Sequence, residues 1–257
     1  MTPVALTTAG SDPSGGAGIQ ADLKTFHQFE VYGEAVITLL TVQNTLGVAR
    51  VEYVPAPLVI EQVHAVIDDI PPQAAKTGAL GSVEIVEALA ELAAEFDFPL
   101  VVDPVMAGSD GAALVSPDAR RAIATRLLPR AFLVMPNLDE AAALTGIEVK
   151  DVGAMRQAAA RLCAMGARAA LVKGGHLDGP ATDVLYADGA WREFTAERIS
   201  SRHTHGTGCT YSAAVTASLA RGSRLEDAVA RAKTYITNAI RTAPGLGRGR
   251  GPLNHHA

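Results

Sequence analysis

The chain has 257 residues, 48% of them hydrophobic and 19% charged, which is ample material for one buried α/β core. A formal net charge of −5, with no basic run, excludes an electrostatic footprint for nucleic acid, so any anionic ligand must be held by local devices. Two cysteines, Cys163 and Cys209, exclude a disulfide framework and fit a reducing compartment.

Short β-branched or apolar runs at 4–8, 35–42, 74–76, 100–103, 132–135 and 169–173 read as strands. Helical patterns lie between them. Pro57 opens one that carries Val59, Val63, Val66 and Ile67, and Ser82 caps the next, with Ile85, Val86, Leu89 and Leu92 on one face. Ser116-Pro117 is an N-cap with proline at the first helical position, where its missing N–H costs nothing. Asp151 starts a helix ending at Gly166, and Ser223 with Glu226 forms a capping box before a helix stopped by Pro244. The segments 183–187 and 190–195 around Asp188-Gly189 read as an antiparallel hairpin with a type I′ turn.

This alternation predicts a mostly parallel sheet with helices on both faces, and the lack of a linker predicts a single domain over residues 1–257. No basic, apolar leader opens the chain and no run has the length of a membrane span. The expectation is a cytoplasmic protein with no membrane or nucleic-acid partner.

The unusual polar residues fall at strand ends, where open α/β sheets bind ligands. They are the turn 9–18, Gln43-Asn44, Lys76-Thr77-Gly78, Asp103-Pro104, Asn137 with Glu140, and Lys173-Gly174-Gly175-His176. Two of the chain's five lysines end strands.

Gly16-Ala17-Gly18 with Ala21 fits a dinucleotide fingerprint, but it starts too far from the strand and lacks the acidic ribose ligand. Gly10 to Gly15 has Walker A spacing, but Gly16-Ala17 stands where Lys-Ser/Thr is required. The turn is then either a backbone necessity or a ligand loop to which Asp12 and Asp22 offer carboxylates. Gly206-Thr207-Gly208-Cys209 precedes a helix of small residues, so converging N–H groups and the helix dipole make an anion cradle. A tight helix–sheet contact would account for the same glycines. The cradle position should lower the Cys209 thiol pKa, while Cys163 reads as inert core.

Asn137-x-x-Glu140 is a helix start or, beside Lys173 and Asp103, a carboxylate site for Mg²⁺ held through water. Asp103 reads equally as a turn residue, and Lys76 as partner to a neighbouring carboxylate. His176, His203 and His205 lack metal spacing and read as loop hydrogen-bonders, and residues 254–257 as a solvated tail.

Over nearly its whole length the sequence resembles hydroxymethylpyrimidine/phosphomethylpyrimidine kinases of thiamine synthesis. The residues that carry the resemblance are the stretch from Ala9 to Lys24, Thr41-Val42-Gln43-Asn44-Thr45, Asp103-Pro104-Val105-Met106 and Pro136-Asn137-Leu138-Asp139-Glu140. Lys173-Gly174-Gly175-His176, Thr204-His205-Gly206-Thr207-Gly208-Cys209-Thr210 and Gly251-Pro252-Leu253-Asn254-His255 follow in the family's order.

The resemblance implies a ribokinase-like three-layer sandwich without a separate lid domain, a homodimer, and ATP with Mg²⁺. It implies phosphorylation of 4-amino-5-hydroxymethyl-2-methylpyrimidine to the monophosphate and then the diphosphate. Asp22 and Gln43 would bind the pyrimidine, with Gly10 and Val105 nearby. Lys173, Asn137 and Thr207 would hold ATP, and Asp103 and Glu140 would serve Mg²⁺. Gly206, Thr207, Gly208 and Cys209 would form the anion hole, with Cys209 where sugar-kinase relatives carry an aspartate. Three positions depart from the pattern: Ala79 replaces a methionine, the 107–111 loop lacks a lysine, and His203 replaces an asparagine. Rival readings are a pyridoxal/pyridoxine kinase on the same fold and a non-catalytic metabolite-binding protein.

Overall fold

The structure, a computed structural model, describes residues 2–108 and 111–257. The described residues form a nine-stranded sheet with the spatial order β3-β2-β1-β4-β5-β6-β7-β8-β9. β1 (Val4–Ser11), β2 (Tyr32–Asn44), β4 (Ala74–Thr77), β5 (Leu100–Val102), β6 (Leu133–Val134) and β7 (Ala169–Val172) are parallel to their neighbours in this set. β3 (Gly47–Tyr53) is antiparallel to β2, and β8 (Ala181–Ala187) and β9 (Ala190–Ala196) extend the other edge antiparallel.

Apolar residues on both faces of the central strands explain the three layers. In β5, Leu100 and Val102 enter one core and Val101 the other, and Ala170 with Val172 opposes Ala169 with Leu171 in β7. The first core is closed by α2 (Ala56–Ile67), α3 (Val83–Leu92), α4 (Pro117–Ala122), α5 (Leu138–Thr145) and α6 (Val152–Ala164). The second is closed by α1 (Gly18–Gln28), α7 (Thr207–Ala220) and α8 (Leu225–Arg241). α7 is buried from Thr210 to Ala220 because its residues are small, which lets it lie close over the sheet.

Ser82, Ser116, Asn137 and Asp151 cap their helices through side-chain oxygens, as the sequence predicts. Asp188 and Gly189 have φ of 50° and 78°, the positive values of the expected hairpin turn. The box at Ser223 does not form. Arg224 is the N-cap of α8 without a side-chain bond, and the Ser223 N–H instead donates to the Ser218 carbonyl.

The run 35–42 grows into the thirteen residues of β2 because its end pairs with β3, a strand not predicted. β3 alternates half-buried with exposed positions at an edge, so it lacks the apolar continuity of the central strands. Nor is the tail solvated. Leu253 and His255 are buried, the Asn254 N–H donates to the Ala239 carbonyl, and Tyr235 Oη donates to the His255 carbonyl.

Candidate active site

β1 lies between β2 and β4 in the sheet, so the connections leaving its end diverge and open a crevice there. The turn between β1 and α1 is folded around Asp12. This carboxylate, 1% exposed, accepts from the N–H and hydroxyl of Ser14, the N–H groups of Gly16 and Ala17, and Nε2 of His205 at 2.8 Å. Burial pushes its pKa up, but hydrogen bonds from His205, Ser14 and Gln43 outweigh this and hold it far below the usual carboxylate range. Asp12 is therefore committed within the protein, contrary to the expectation that it offers its carboxylate to a ligand. The hydrogen-bonding role of His205 is as expected.

Two glycine turns interlock at this point. A Cβ on Gly206 would lie 1.8 Å from the Gly16 carbonyl oxygen, and Gly206 has φ of +80° at the N-cap of α7. Both facts demand glycine. A Cβ on Gly18 would sit 2.2 Å from the Gly10 carbonyl oxygen, so Gly10 is likewise pressed against the start of α1. The N-termini of α1 and α7 thus face one crevice, and the Gly18 N–H points to the Cys209 sulfur. Thr207 is half-buried, with its hydroxyl donating to the Thr204 carbonyl at 2.7 Å.

Next to the α7 turn, Lys173 Nζ donates to Asp103 Oδ1 at 2.8 Å, and Ser212 Oγ donates to Asp103 Oδ2 at 3.0 Å. A Cβ on Gly208 would lie 3.4 Å from Lys173 Nζ, so the cradle backbone sits directly against the ammonium group. Asn137 and Glu140 form a reciprocal capping box at the start of α5. Glu140 nevertheless belongs to the same electrostatic cluster. Burial pushes its pKa up to about 7; Lys173 opposes that push and Asp103 adds to it. The geometry bears out the helix start of Asn137-x-x-Glu140 and also sets Glu140 within the electrostatic reach of Lys173 and Asp103.

On the β1 side, Asp22 is fully buried, its Oδ2 accepting from Thr7 Oγ1 at 2.6 Å and Lys76 Nζ at 2.8 Å. Lys76 is thus the partner of a neighbouring carboxylate, one of the two readings open to it. Gln43, near the end of β2, turns its side chain to Asp12. Val105 and Ala79 pack with Leu39, Leu114 and Val51 in a small apolar cluster beside this turn. Ala107 is bridged to Ala113, and Ser109 and Asp110 of the 107–111 loop lie outside the described residues.

The thiol expectation is overturned. Burial pushes Cys209 up to about 11, and Asp22 and Asp103 add to this while Lys76 and the Gly18 N–H oppose it. Desolvation, with the two carboxylates adding to it, outweighs Lys76 and the Gly18 N–H. Cys163 is also pushed up to about 11 by burial, in keeping with an inert thiol.

Among the described residues no group of three or more His, Cys, Asp or Glu is arranged to hold a metal. Asp103 and Glu140 alone still suit Mg²⁺, which keeps its waters and takes one or two carboxylates with substrate phosphates.

The structure brings Gly10, Asp22, Gln43, Val105, Asp103, Asn137, Glu140, Lys173 and Gly206 to Cys209 to one edge of the sheet. Sequence reading missed Ser212, which fixes Asp103, whereas Lys76 meets its expected carboxylate partner in Asp22. Ser212 is one small residue among many in α7, so no pattern marks it. Lys76 carried a signal, since a lysine inside an apolar strand needs a partner.

A family model described as phosphomethylpyrimidine kinase matches residues 12–254. A hydroxymethylpyrimidine/phosphomethylpyrimidine kinase of Streptomyces coelicolor is 49% identical over 98% of this chain and 94% of its own. The thiamine biosynthesis bifunctional protein ThiED of Geobacter sulfurreducens is 50% identical over 97% of this chain, which spans 51% of that longer protein. Among solved structures, Bacillus subtilis pyridoxal kinase in complex with ADP superposes with a TM-score of 0.92 at 39% identity, covering 100% of this chain and 98% of that one. Phosphomethylpyrimidine kinase from Clostridium difficile 630 superposes with a TM-score of 0.83 at 41% identity, covering 93% and 99%. The fold is ribokinase-like, and the chain belongs to the phosphomethylpyrimidine kinase family.

Proposed function

We propose that this chain transfers the γ-phosphoryl group of ATP to the hydroxymethyl group of 4-amino-5-hydroxymethyl-2-methylpyrimidine, and a second phosphoryl group to the resulting monophosphate. The observation that carries this reading is the close approach of Gly208, at the start of α7, to Lys173 Nζ, which also donates to Asp103. Phosphoryl transfer asks for positioning and charge neutralisation rather than covalent catalysis.

Asp22 and Gln43 orient the ring, and Gly10 and Val105 close around it. Lys173, Asn137 and Thr207 hold the ATP phosphates, and the N–H groups from Gly206 to Cys209 receive charge on the transferring oxygens. Asp103 and Glu140 would hold Mg²⁺ through water, and the ion would supply charge neutralisation to the phosphates. In the first step the hydroxymethyl oxygen bonds to the γ-phosphorus as the bond to ADP breaks, and its proton passes to the Cys209 thiolate. That base is scarce at neutral pH, because the resting thiol is held neutral. In the second step the nucleophile is already an anion and needs no base.

The reading extends to a single kinase domain over residues 1–257 and to a cytoplasmic homodimer. Leu40 and Val42, 50% and 58% exposed on one face of β2, offer apolar surface near the sheet edge that a second copy would cover. Among the described residues no helix is long and apolar enough to cross a membrane.

A coupled ADP-release assay with hydroxymethylpyrimidine tests the activity, followed by mass identification of the product. Mono- and diphosphate are expected, and ATP turnover unaffected by the pyrimidine would sink the reading. Pyridoxal phosphorylation is the second reading, favoured by the superposition on the Bacillus subtilis pyridoxal kinase. Competition between the two substrates for one protein sample decides it.

A further inference from the structure

The Asp22 carboxylate is half satisfied. Its Oδ2 takes both the Thr7 hydroxyl and the Lys76 ammonium, whereas Oδ1 is buried and has no hydrogen-bond partner among the described residues. Leaving a buried acceptor unpaired costs about 1–3 kcal/mol, so such an atom persists where a ligand completes it. Lys76 is as deeply buried as Asp22, and this lysine–aspartate pair closes the floor between β1, β4 and α1.

Four groups from four elements set the charge there. Thr7 comes from β1, Lys76 from β4, Asp103 from the end of β5 and Cys209 from α7. Burial pushes the Asp22 carboxyl upward and Asp103 adds to this, while Lys76 and Thr7 oppose it. Burial pushes Lys76 down, but Asp22, Cys209 and Asp103 more than offset this and hold it protonated. Among the described residues Lys76 is the cation that opposes burial at Asp22, and its loss would favour the neutral acid. A neutral carboxyl is a donor as well as an acceptor, so it no longer rejects a ring that presents an acceptor.

We propose that Lys76 is a positioning residue that sets substrate choice. Its ammonium pairs with Asp22 Oδ2 at 2.8 Å and turns that oxygen inward, so that Oδ1 is left as the acceptor that selects a ring bearing an amino group. This deepens the pyrimidine kinase reading and rests on it.

The test compares phosphorylation of hydroxymethylpyrimidine with that of its 4-oxo analogue, in the full-length protein and in Lys76→Met. The wild type should favour the amino ring strongly. In Lys76→Met at neutral pH, the ratio of the two kcat/KM values should fall by about tenfold or more, with KM for ATP within about twofold of wild type. Raising the pH should restore the preference as Asp22 ionises, a readout that a merely structural role would not move. An unchanged ratio, or a parallel rise in KM for ATP, overturns the role of Lys76. Should Lys76→Met not fold, the apolar pair Asp22→Leu/Lys76→Met removes both charges, a change buried ion pairs often tolerate. It should lose the amino preference at every pH, and retention of that preference overturns the proposal. If the wild type phosphorylates neither ring, the pyrimidine reading itself falls. That outcome is seen in the wild-type arm alone.

Discussion

His205 Nε2 lies 2.8 Å from Asp12 Oδ2, a contact across 193 residues that fastens the turn after β1 to the turn before α7. The two turns share one wall of the site, since Gly206 touches the Gly16 carbonyl and a Cβ on Gly16 would lie 2.6 Å from the His205 ring. The two turns are therefore one mechanical unit, although they belong to opposite ends of the chain.

Gly206→Ala should be severely destabilising. Its Cβ would meet a backbone oxygen at 1.8 Å in a left-handed conformation, so relief requires separating the two turns. A loss of about 3 kcal/mol or more is expected in urea unfolding, or no soluble protein. A variant as stable as wild type would show that the turns are not locked together.

Glu140→Gln separates the helix-start role from the site role. Glutamine can still reach back to the Asn137 N–H in a capping box, so α5 keeps its start. Burial has raised the Glu140 pKa to about 7 from 4.5, so the folded protein binds its proton more tightly than the unfolded chain. Its contribution is complete below the unfolded value and fades as pH rises through about 7. The neutral variant should melt at or above the wild-type temperature at neutral pH, while kcat falls by about tenfold or more and needs more Mg²⁺. Melting curves and a Mg²⁺ titration check both halves.

Cys209→Asp should harm the second phosphorylation more than the first. A permanent carboxylate would repel a substrate that already carries phosphate, by about 4 kcal/mol at ~4 Å and an effective dielectric of ~20. The neutral thiol, held up at about 11, avoids that repulsion. Single-turnover rates for each step decide the matter, and equal losses would refute the charge argument.

Glu34 is a liability outside the site. It is buried with Oε2 unpartnered, and burial, with Asp69 adding to it, raises its pKa from 4.5 to about 7. The folded state holds this proton more tightly, so the stability it gives is whole below the unfolded value and lost as pH climbs through about 7. Glu34→Gln should stabilise the protein by about 1 kcal/mol at alkaline pH, allowing for solvent screening, and by little under acid conditions. Urea midpoints at the two pH values test the sign.

Much of this was legible because particular residues have few structural uses. Ser82, Ser116, Asn137 and Asp151 announced helix starts, since their side-chain oxygens answer free N–H groups. Ser223 misled because a capping box needs the serine at the N-cap, and the helix begins one residue later. β3 escaped notice because an edge strand needs only one apolar face. The tail read as solvated because Leu253 and His255 are buried by residues distant in the chain.

Sequence by itself determined the parallel sheet, the strand-end position of the site and the family, because apolar periodicity, helix caps and ordered motifs are local signals. Tertiary structure alone decided the charge states. The Cys209 thiol is raised by burial, with carboxylates on α1 and at the end of β5 adding to it. Asp22 is held by a lysine 54 residues away, and Asp12 by a histidine 193 residues away. Electrostatic interaction depends on distance and burial, and neither is set until the chain has folded.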